Sequence, residues 1–278
     1  MENLELFKTA VVVVIFIIKF SIGLHIDLNE YRSLFRGSLM QIVKALAIVI
    51  LAAPFVAWLI AYVLSPSTGA LVTIIMLSAT PGAPLSILKI NKAGGKPEMA
   101  VAIQMLAVLI SVLTVPLVLH FFHNYMKADI DPEWTSLMRR ILLYVIAPFV
   151  LGLLLNILLP SVKTAKRIVA RIAQIMLGVM ALLLIIKFYK LIFNAAPQDI
   201  LIFSVFIILT LLIGHLLGGP DKKDRTTIAL LSSSPHIGLT IFIAITLFNL
   251  ETIMAYLLPY LVINLLIGML YIQWRKRV

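Results

Sequence analysis

The chain has 278 residues, of which 62% are hydrophobic and only 13% charged, with a net charge of +11 and a mean hydropathy of +1.10. An ordinary soluble domain carries about 25% charged residues, so the composition points instead to an all-α polytopic membrane protein. The absence of cysteine excludes disulfides, thiolate-bound metals and a cysteine nucleophile.

A helix needs about 20 apolar residues to cross a bilayer, and on that measure the chain divides into nine predicted transmembrane helices. The first, about 6–25, lies in MENLELFKTAVVVVIFIIKFSIGL. This stretch lacks a basic leader and a small-residue cleavage site, so it is expected to remain as a membrane helix rather than be removed as a signal peptide. The others are placed at about 39–64, 69–93, 97–123, 137–159, 166–193, 199–218, 225–248 and 251–272. The alternation of barrel strands is missing. Connections are short and polar, as in STG at 67–69, KAGGKP at 92–97 and GGPDKKDR at 218–225. Nothing separates soluble domains, and residues 1–278 read as a single transmembrane unit.

Fifteen of the 23 Lys and Arg residues lie beside the loops joining spans 1–2, 3–4, 5–6 and 7–8 or at the C-terminus; six lie on the other side, and Lys19 and Lys44 fall within spans. By the positive-inside rule the N-terminus is expected outside and the C-terminus in the cytoplasm, in the plasma (cytoplasmic) membrane. The positive charge is then accounted for by contact with the lipid bilayer and calls for no nucleic acid.

The third and eighth spans repeat each other. Residues 73–87 read TIIMLSATPGAPLSI and residues 227–241 read TIALLSSSPHIGLTI, a separation of 154 residues. Each has a proline at its centre, which costs a helix interior about 3 kcal/mol. Five crossings separate the two, so they run in opposite directions. The prediction is an inverted repeat, repeat one about 6–123 and repeat two about 137–272, with two crossed discontinuous helices of the kind that hold substrate in secondary transporters. The breaks are expected at Thr80, Pro81, Gly82, Ala83 and Pro84, and at Ser233, Ser234, Pro235, His236 and Ile237. Proline removes a donor and glycine permits non-helical angles, which frees carbonyls on one side of each break and amides on the other. Carbonyl ends favour cations, and the helix N-termini that follow favour an anion.

Three stretches carry a resemblance. ATPGAPLSILKINKAGGKPEMAVAIQMLAVLISVLTVPL looks like the first crossing helix and following helix of the bile acid:sodium symporter family. FSIGLHIDLNEYRSLFRGSLMQIVKALAIVILAAPFVAWLIAYVL resembles its early helix pair, and RTTIALLSSSPHIGLTIFIA its second crossing helix. The resemblance covers about 15–272, and the broken-helix scheme is shared with auxin efflux carriers and arsenite exporters. It implies a panel domain, a core domain carrying the crossed helices, and sodium-coupled uptake of a small organic anion.

Residue by residue, the sodium ligands implied by the family do not carry over. Its asparagine falls at Ile87, beside Ser86; a serine and a threonine fall at Ala100 and Gln104; a glutamate and a glutamine fall at Leu231 and Pro235. A hard cation wants several oxygens, usually with a carboxylate among them, yet every acidic residue lies at a loop or span end. Sodium coupling is therefore doubtful, with only backbone carbonyls, Ser86, Gln104, Ser232, Ser233 and Ser234 to offer a weak neutral site; no other cofactor is expected. A proton-coupled or facilitated carrier of weak organic acids, as among auxin-efflux-type carriers, stays open, as does a membrane receptor of the same fold.

Among the ionisable residues, His236 is expected either to relay a proton or bond a carboxylate, or else to sit neutral against a neighbouring carbonyl. Lys19 and Lys44 are expected to snorkel, with attraction of an anionic substrate as the sharper reading. His215 reads as interfacial, and Gln104 and Asn264 as interhelical hydrogen-bond formers. An enzyme is not expected: HExxH, GxSxG and a mid-membrane acid pair are all absent. The sequence leaves the oligomeric state open.

Overall fold

A computed structural model describes residues 2–26, 28–83, 86–126, 134–159, 163–193, 195–248 and 250–277; Pro84, in the first expected break, lies outside the described residues. Among those residues every regular element is helical: α1 (Glu2–Leu24), α2 (Leu28–Val63), α3 (Thr68–Ala79), α4 (Ser86–Lys92), α5 (Pro97–Phe121), α6 (His123–Met126), α7 (Trp134–Ile141), α8 (Ala147–Leu158), α9 (Lys163–Ile192), α10 (Pro197–Leu217), α11 (Lys222–Ser232), α12 (Ile237–Leu247) and α13 (Leu250–Arg277). A π-helical turn, Leu142–Ile146, joins α7 to α8.

Helix starts follow from local chemistry. Pro97 and Pro197 open α5 and α10, where the missing N–H would have had no partner in any case. Ser67 caps α3 by accepting from the Ala70 N–H, and its hydroxyl donates to Asp199 Oδ1 at 2.8 Å, tying the start of α3 to the start of α10. Asp221 caps α11 through the Lys223 N–H. Prolines 54, 116 and 259 lie inside continuous helices. Pro148 follows the π turn, where the Ala147 N–H reaches back to Leu142 O, the wider ladder that often accommodates a proline.

Among the described residues, seven helical segments are long and apolar enough to cross a membrane, and two shorter apolar helices, Thr9–Leu24 and Thr68–Ala79, stand where the first and third spans are predicted. The third is short because it breaks after Ala79 and resumes as α4. The segment Lys222–Leu247 is 89% buried over its most apolar window, whereas Thr164–Ile192 is 11% buried. The broken helices therefore form the centre of the bundle and α9 its periphery.

Two apolar clusters surround that centre. One gathers α3 and α12, with Ile74, Ile75, Phe242 and Ile243 beside Phe206 and Tyr260. The other gathers α4 and α11, with Ile90, Ile228 and Leu231 beside Ile42 and Ile103. Correspondingly, α3 touches α12 and α4 touches α11. The polar residues of the two breaks lie between the clusters.

Helix α1 is clamped to α8 by two glycines. A Cβ on Gly23 would lie 2.1 Å from Phe149 O, and one on Gly152 would lie 2.2 Å from Phe20 O. The two backbones are in direct contact, the close approach that small residues allow between membrane helices. Helix α1 also touches α12, which brings Lys19 to the second break.

Candidate functional site

The two breaks are built alike. Pro81 leaves Leu77 O without its usual donor, and the Thr80 N–H turns back to it at 3.2 Å; Pro235 does the same to Leu231 O, which takes the Ser234 N–H at 3.2 Å. Each helix end is tightened by one residue, as expected where an orphan carbonyl is buried. The two breaks then satisfy each other. The His236 N–H donates to Thr80 O at 2.6 Å and the Ala83 N–H to Ser234 O at 2.9 Å. Residues 80 and 83 thus pair with 236 and 234, an antiparallel contact between the two interruptions. Gly82, at φ +75°, makes the turn that aims the Ala83 amide across, a conformation costly for any residue with a Cβ.

Side chains complete the junction. Thr80 Oγ1 meets Thr240 Oγ1 at 2.8 Å. Gln104 Nε2 donates to Ala83 O at 2.6 Å and to Ser86 Oγ at 2.8 Å, and Ser86 Oγ donates to Ala83 O at 2.7 Å. Across the junction, Asn264 Nδ2 donates to Ser233 O at 2.7 Å while its Oδ1 accepts from Lys89 Nζ at 2.9 Å. Ser233 Oγ reaches Leu230 O at 3.4 Å, and the buried Ser232 Oγ has no hydrogen-bond partner. The interhelical roles expected of Gln104 and Asn264 are what these bonds describe.

His236 caps α12: its Nδ1 accepts from the Leu239 N–H at 3.2 Å. Its Nε2 lies 2.7 Å from Lys19 Nζ. The carbonyl partner of the alternative reading is thereby corrected: the ring contacts an amide and an amine. Lys19 is corrected as well. It does not snorkel to the membrane surface but turns inward and is 1% exposed, because the break offers its nitrogen a polar partner within the apolar wall. Lys44 projects outward as expected, and His215 joins Tyr271 and Trp274 in a ring cluster, its Nδ1 2.8 Å from the Tyr271 hydroxyl.

Two cavities flank the Lys19–His236 contact. The larger, about 280 Å³, is lined by Lys19, His236, Ala83, Ile237 and Gly238 and otherwise by apolar side chains of α1, α9, α12 and α13, among them Ile15, Leu184 and Met254. The smaller, about 70 Å³, is lined by Lys19, His236, Gly82, Ile87 and Gln104 with Ile22, Val101 and Phe149. Of the residues singled out from the sequence, Lys19, Gly82, Ala83, Ile87, Gln104, His236 and Ile237 border a cavity. Thr80, Pro81, Ser86, Ser233, Ser234 and Pro235 form the junction behind it without lining either space, and Ser232 ends the helix leading to it. Lys89, one of the fifteen basic residues that the charge count places beside the loops, is the member of this network that the sequence does not single out. A basic residue one turn beyond a broken motif, facing an asparagine on another helix, was the available signal.

The carbonyls of Thr80, Ala83, Ser233 and Ser234 already accept hydrogen bonds, Ser86 and Gln104 bond each other, and Lys19 carries a nitrogen into the space beside them. Among the described residues no three His, Cys, Asp or Glu gather into a metal-binding group.

Comparison with known proteins agrees with this architecture. A search of curated proteins finds no match to the chain. The model of the Sodium Bile acid symporter family matches residues 12–196, a stretch that holds Lys19, the first break and Gln104 and stops short of the second break. Multi-pass helices and a match over more than half of the chain make this an integral membrane protein that belongs to the sodium bile acid symporter family.

Proposed function

We propose that this protein is a secondary transporter that carries a small organic anion, and that the anion binds in the larger cavity against the junction of the two helix breaks. The observation that carries this reading is the mutual pairing of the breaks, His236 N–H to Thr80 O and Ala83 N–H to Ser234 O, beside a cavity lined by Lys19 and the first residues of α12. Broken backbone at membrane depth is tolerated where it is buried in protein or lines a cavity. The start of α12 adds the positive end of a helix dipole. Family membership supports transport rather than catalysis. The nine-crossing count and the inverted repeat belong to the same proposal, supported by the pairing of α3 with α12 and of α4 with α11. So does the orientation with the N-terminus outside and the C-terminus in the cytoplasm, which rests on the charge asymmetry.

Sodium has a poor claim on the site because no carboxylate is among the described lining residues and the nearby oxygens accept hydrogen bonds. The test is a thermal-shift screen of the purified protein against organic acids, with and without sodium, followed by uptake of labelled hits into proteoliposomes. Binding followed by saturable uptake is expected. Binding without flux would make the protein a receptor of the same fold, and neither would remove the reading.

A further inference from the structure

We propose that Lys19 is the proton-loading group of this carrier: in the empty site it is a neutral amine held by His236, and an anionic headgroup binds there together with one proton taken up by Lys19 Nζ. The inference rests on the organic-anion reading above and specifies its coupling.

Hydrogen-bond geometry assigns the protonation of the pair. The Leu239 N–H donates to His236 Nδ1, so Nδ1 presents its lone pair and the ring's one hydrogen sits on Nε2. Lys19 Nζ lies 2.7 Å from that Nε2. An ammonium has three donors and no lone pair, and would set donor against donor; a neutral amine can accept. The pair is therefore imidazole Nε2–H donating to Nζ, with no net charge.

The surroundings agree. Apart from Lys19 and His236, the described residues that line the two cavities are apolar residues, glycines and Gln104, and none of them is a carboxylate to balance an ammonium. Charged groups on the packed elements are engaged or directed elsewhere. On α9, Lys166 meets Asn156, Lys187 lies over the rings of Phe7 and Phe188, and Arg167, Arg171 and Lys190 are exposed. Tyr144 of the π turn packs its ring at a tilt against Phe242, Lys89 of α4 meets Asn264, and Tyr260 of α13 receives the Asn264 amide. His25 of α1 contacts Ser21 O. A buried ammonium without a counter-ion is unfavourable, so the empty site keeps the amine neutral and the anion supplies the missing counter-ion.

The step balances. A headgroup R–COO⁻ or R–SO₃⁻ enters the larger cavity, a proton arrives from water, and R–COO⁻ + H⁺ + Lys19–NH₂ becomes R–COO⁻···⁺H₃N–Lys19. No covalent bond to carbon changes, and the site is neutral before and after. His236 keeps its cap on α12 through Nδ1, and its Nε2–H, released by Nζ, donates to the anion. Both cavities share Lys19 and His236 as wall, so an anion that moves from one to the other meets the pair, and proton loading accompanies its passage.

The experiment has two arms on the full-length purified protein. Carbon-13 NMR of lysine Cε in detergent at pH 7.5 should show one resonance at a neutral-amine shift among the ammonium signals, lost in Lys19→Gln. The wild-type spectrum decides this even if the variant fails to fold, and only ammonium shifts would overturn the inference. In proteoliposomes, uptake of labelled hexanesulfonate, whose acid form does not leak through lipid at these pH values, should be driven by an inward proton gradient and not by sodium. Lys19→Gln should lower the proton-driven rate at least tenfold. Sodium-driven uptake that persists in Lys19→Gln overturns the inference. No uptake under either gradient, from hexanesulfonate through the organic acids of the binding screen, sinks the carrier reading, and the carbon shift still judges Lys19.

Discussion

The two helix breaks share a motif and differ in chemistry. Around Pro81 every partner is neutral: Gly82 turns the chain, Gln104 and Ser86 hold Ala83 O, and Thr80 meets Thr240. Around Pro235 the partners are nitrogen bases: His236 caps α12 and contacts Lys19, while Lys89 steadies Asn264 on Ser233 O. The same backbone device thus serves two ends. The first break is a fixed hinge of satisfied dipoles, and the second carries the groups able to change charge. A repeat in sequence identifies where chains break, and partners from elsewhere decide what each break does.

The largest expected effect comes from lifting α1 away. Gly152→Val would drive its Cβ into Phe20 O, at 2.2 Å in the present packing, and main-chain contacts have no rotamer to yield. A loss of about 2–3 kcal/mol is expected, read as a lowered unfolding midpoint in detergent. It should abolish the Lys19 signal of the second break while leaving the bonds that Ser86 of α4 and Gln104 of α5 give the first break. An unchanged midpoint would show that the α1–α8 contact is not structural.

Next come the two amide side chains, one for each break. Gln104→Ala leaves Ala83 O with fewer donors, and Asn264→Ala strips Ser233 O and Lys89 together. Each should cost about 1–2 kcal/mol. The contrast lies in ligand response: Asn264→Ala should weaken anion binding more, since it disturbs the break that carries His236. Equal losses in a thermal-shift titration would erase the proposed division of labour. Thr80→Val keeps the shape and removes the Thr240 contact, with an expected cost of about 0.6 kcal/mol. Unfolding and uptake should both move slightly, and a large fall in uptake would show that the first break is more than a hinge.

The smallest effect is at the loops that lead into α5 and α11. Lys96 Nζ lies 2.8 Å from Asp221 Oδ2 and 2.6 Å from Asp224 Oδ1. The Lys96 hydrogen bond, then the Lys223 N–H, holds the Asp221 carboxyl below its usual 3.8. Burial lowers Lys96, but the bonds and charges of Asp221 and Asp224 outweigh it and raise it above 10.5. The Asp221 contribution is present above 3.8 and lost as pH falls through its lower folded value; the Lys96 contribution is present below 10.5 and lost as pH rises through its higher one. The Lys96–Asp221 pair is exposed, and such pairs contribute little and are screened by salt, while Asp224 is buried. Lys96→Met should therefore narrow the difference in unfolding midpoint between acid and neutral pH in low salt, and leave uptake unaltered.

Much of this was legible in the chain itself. The apolar runs located most of the helices to within a few residues, because the bilayer dictates a length that a sequence must meet; α2 begins at Leu28, well before the span placed at about 39–64, since a helix can continue past its apolar stretch. The third span looked continuous in hydropathy from 69 to 93, yet it is two short helices; hydropathy registers composition, while continuity depends on whether freed carbonyls find other donors. Pro54, Pro116 and Pro259 show the limit from the other side, since they too interrupt apolar runs but leave their helices whole. What marked Pro81 and Pro235 was their repetition with flanking hydroxyls and glycine.

By itself, then, the sequence determined the class, the helical segments and the two places where helices fail, all set by local rules of burial length and missing N–H groups. Tertiary structure alone decided that Thr80 O would take the His236 N–H and that Lys19, 217 residues from His236, would turn its nitrogen onto that ring. The glycine contact between α1 and α8 and the demand of a buried amine for a partner set that meeting, and neither leaves a periodic trace along the chain.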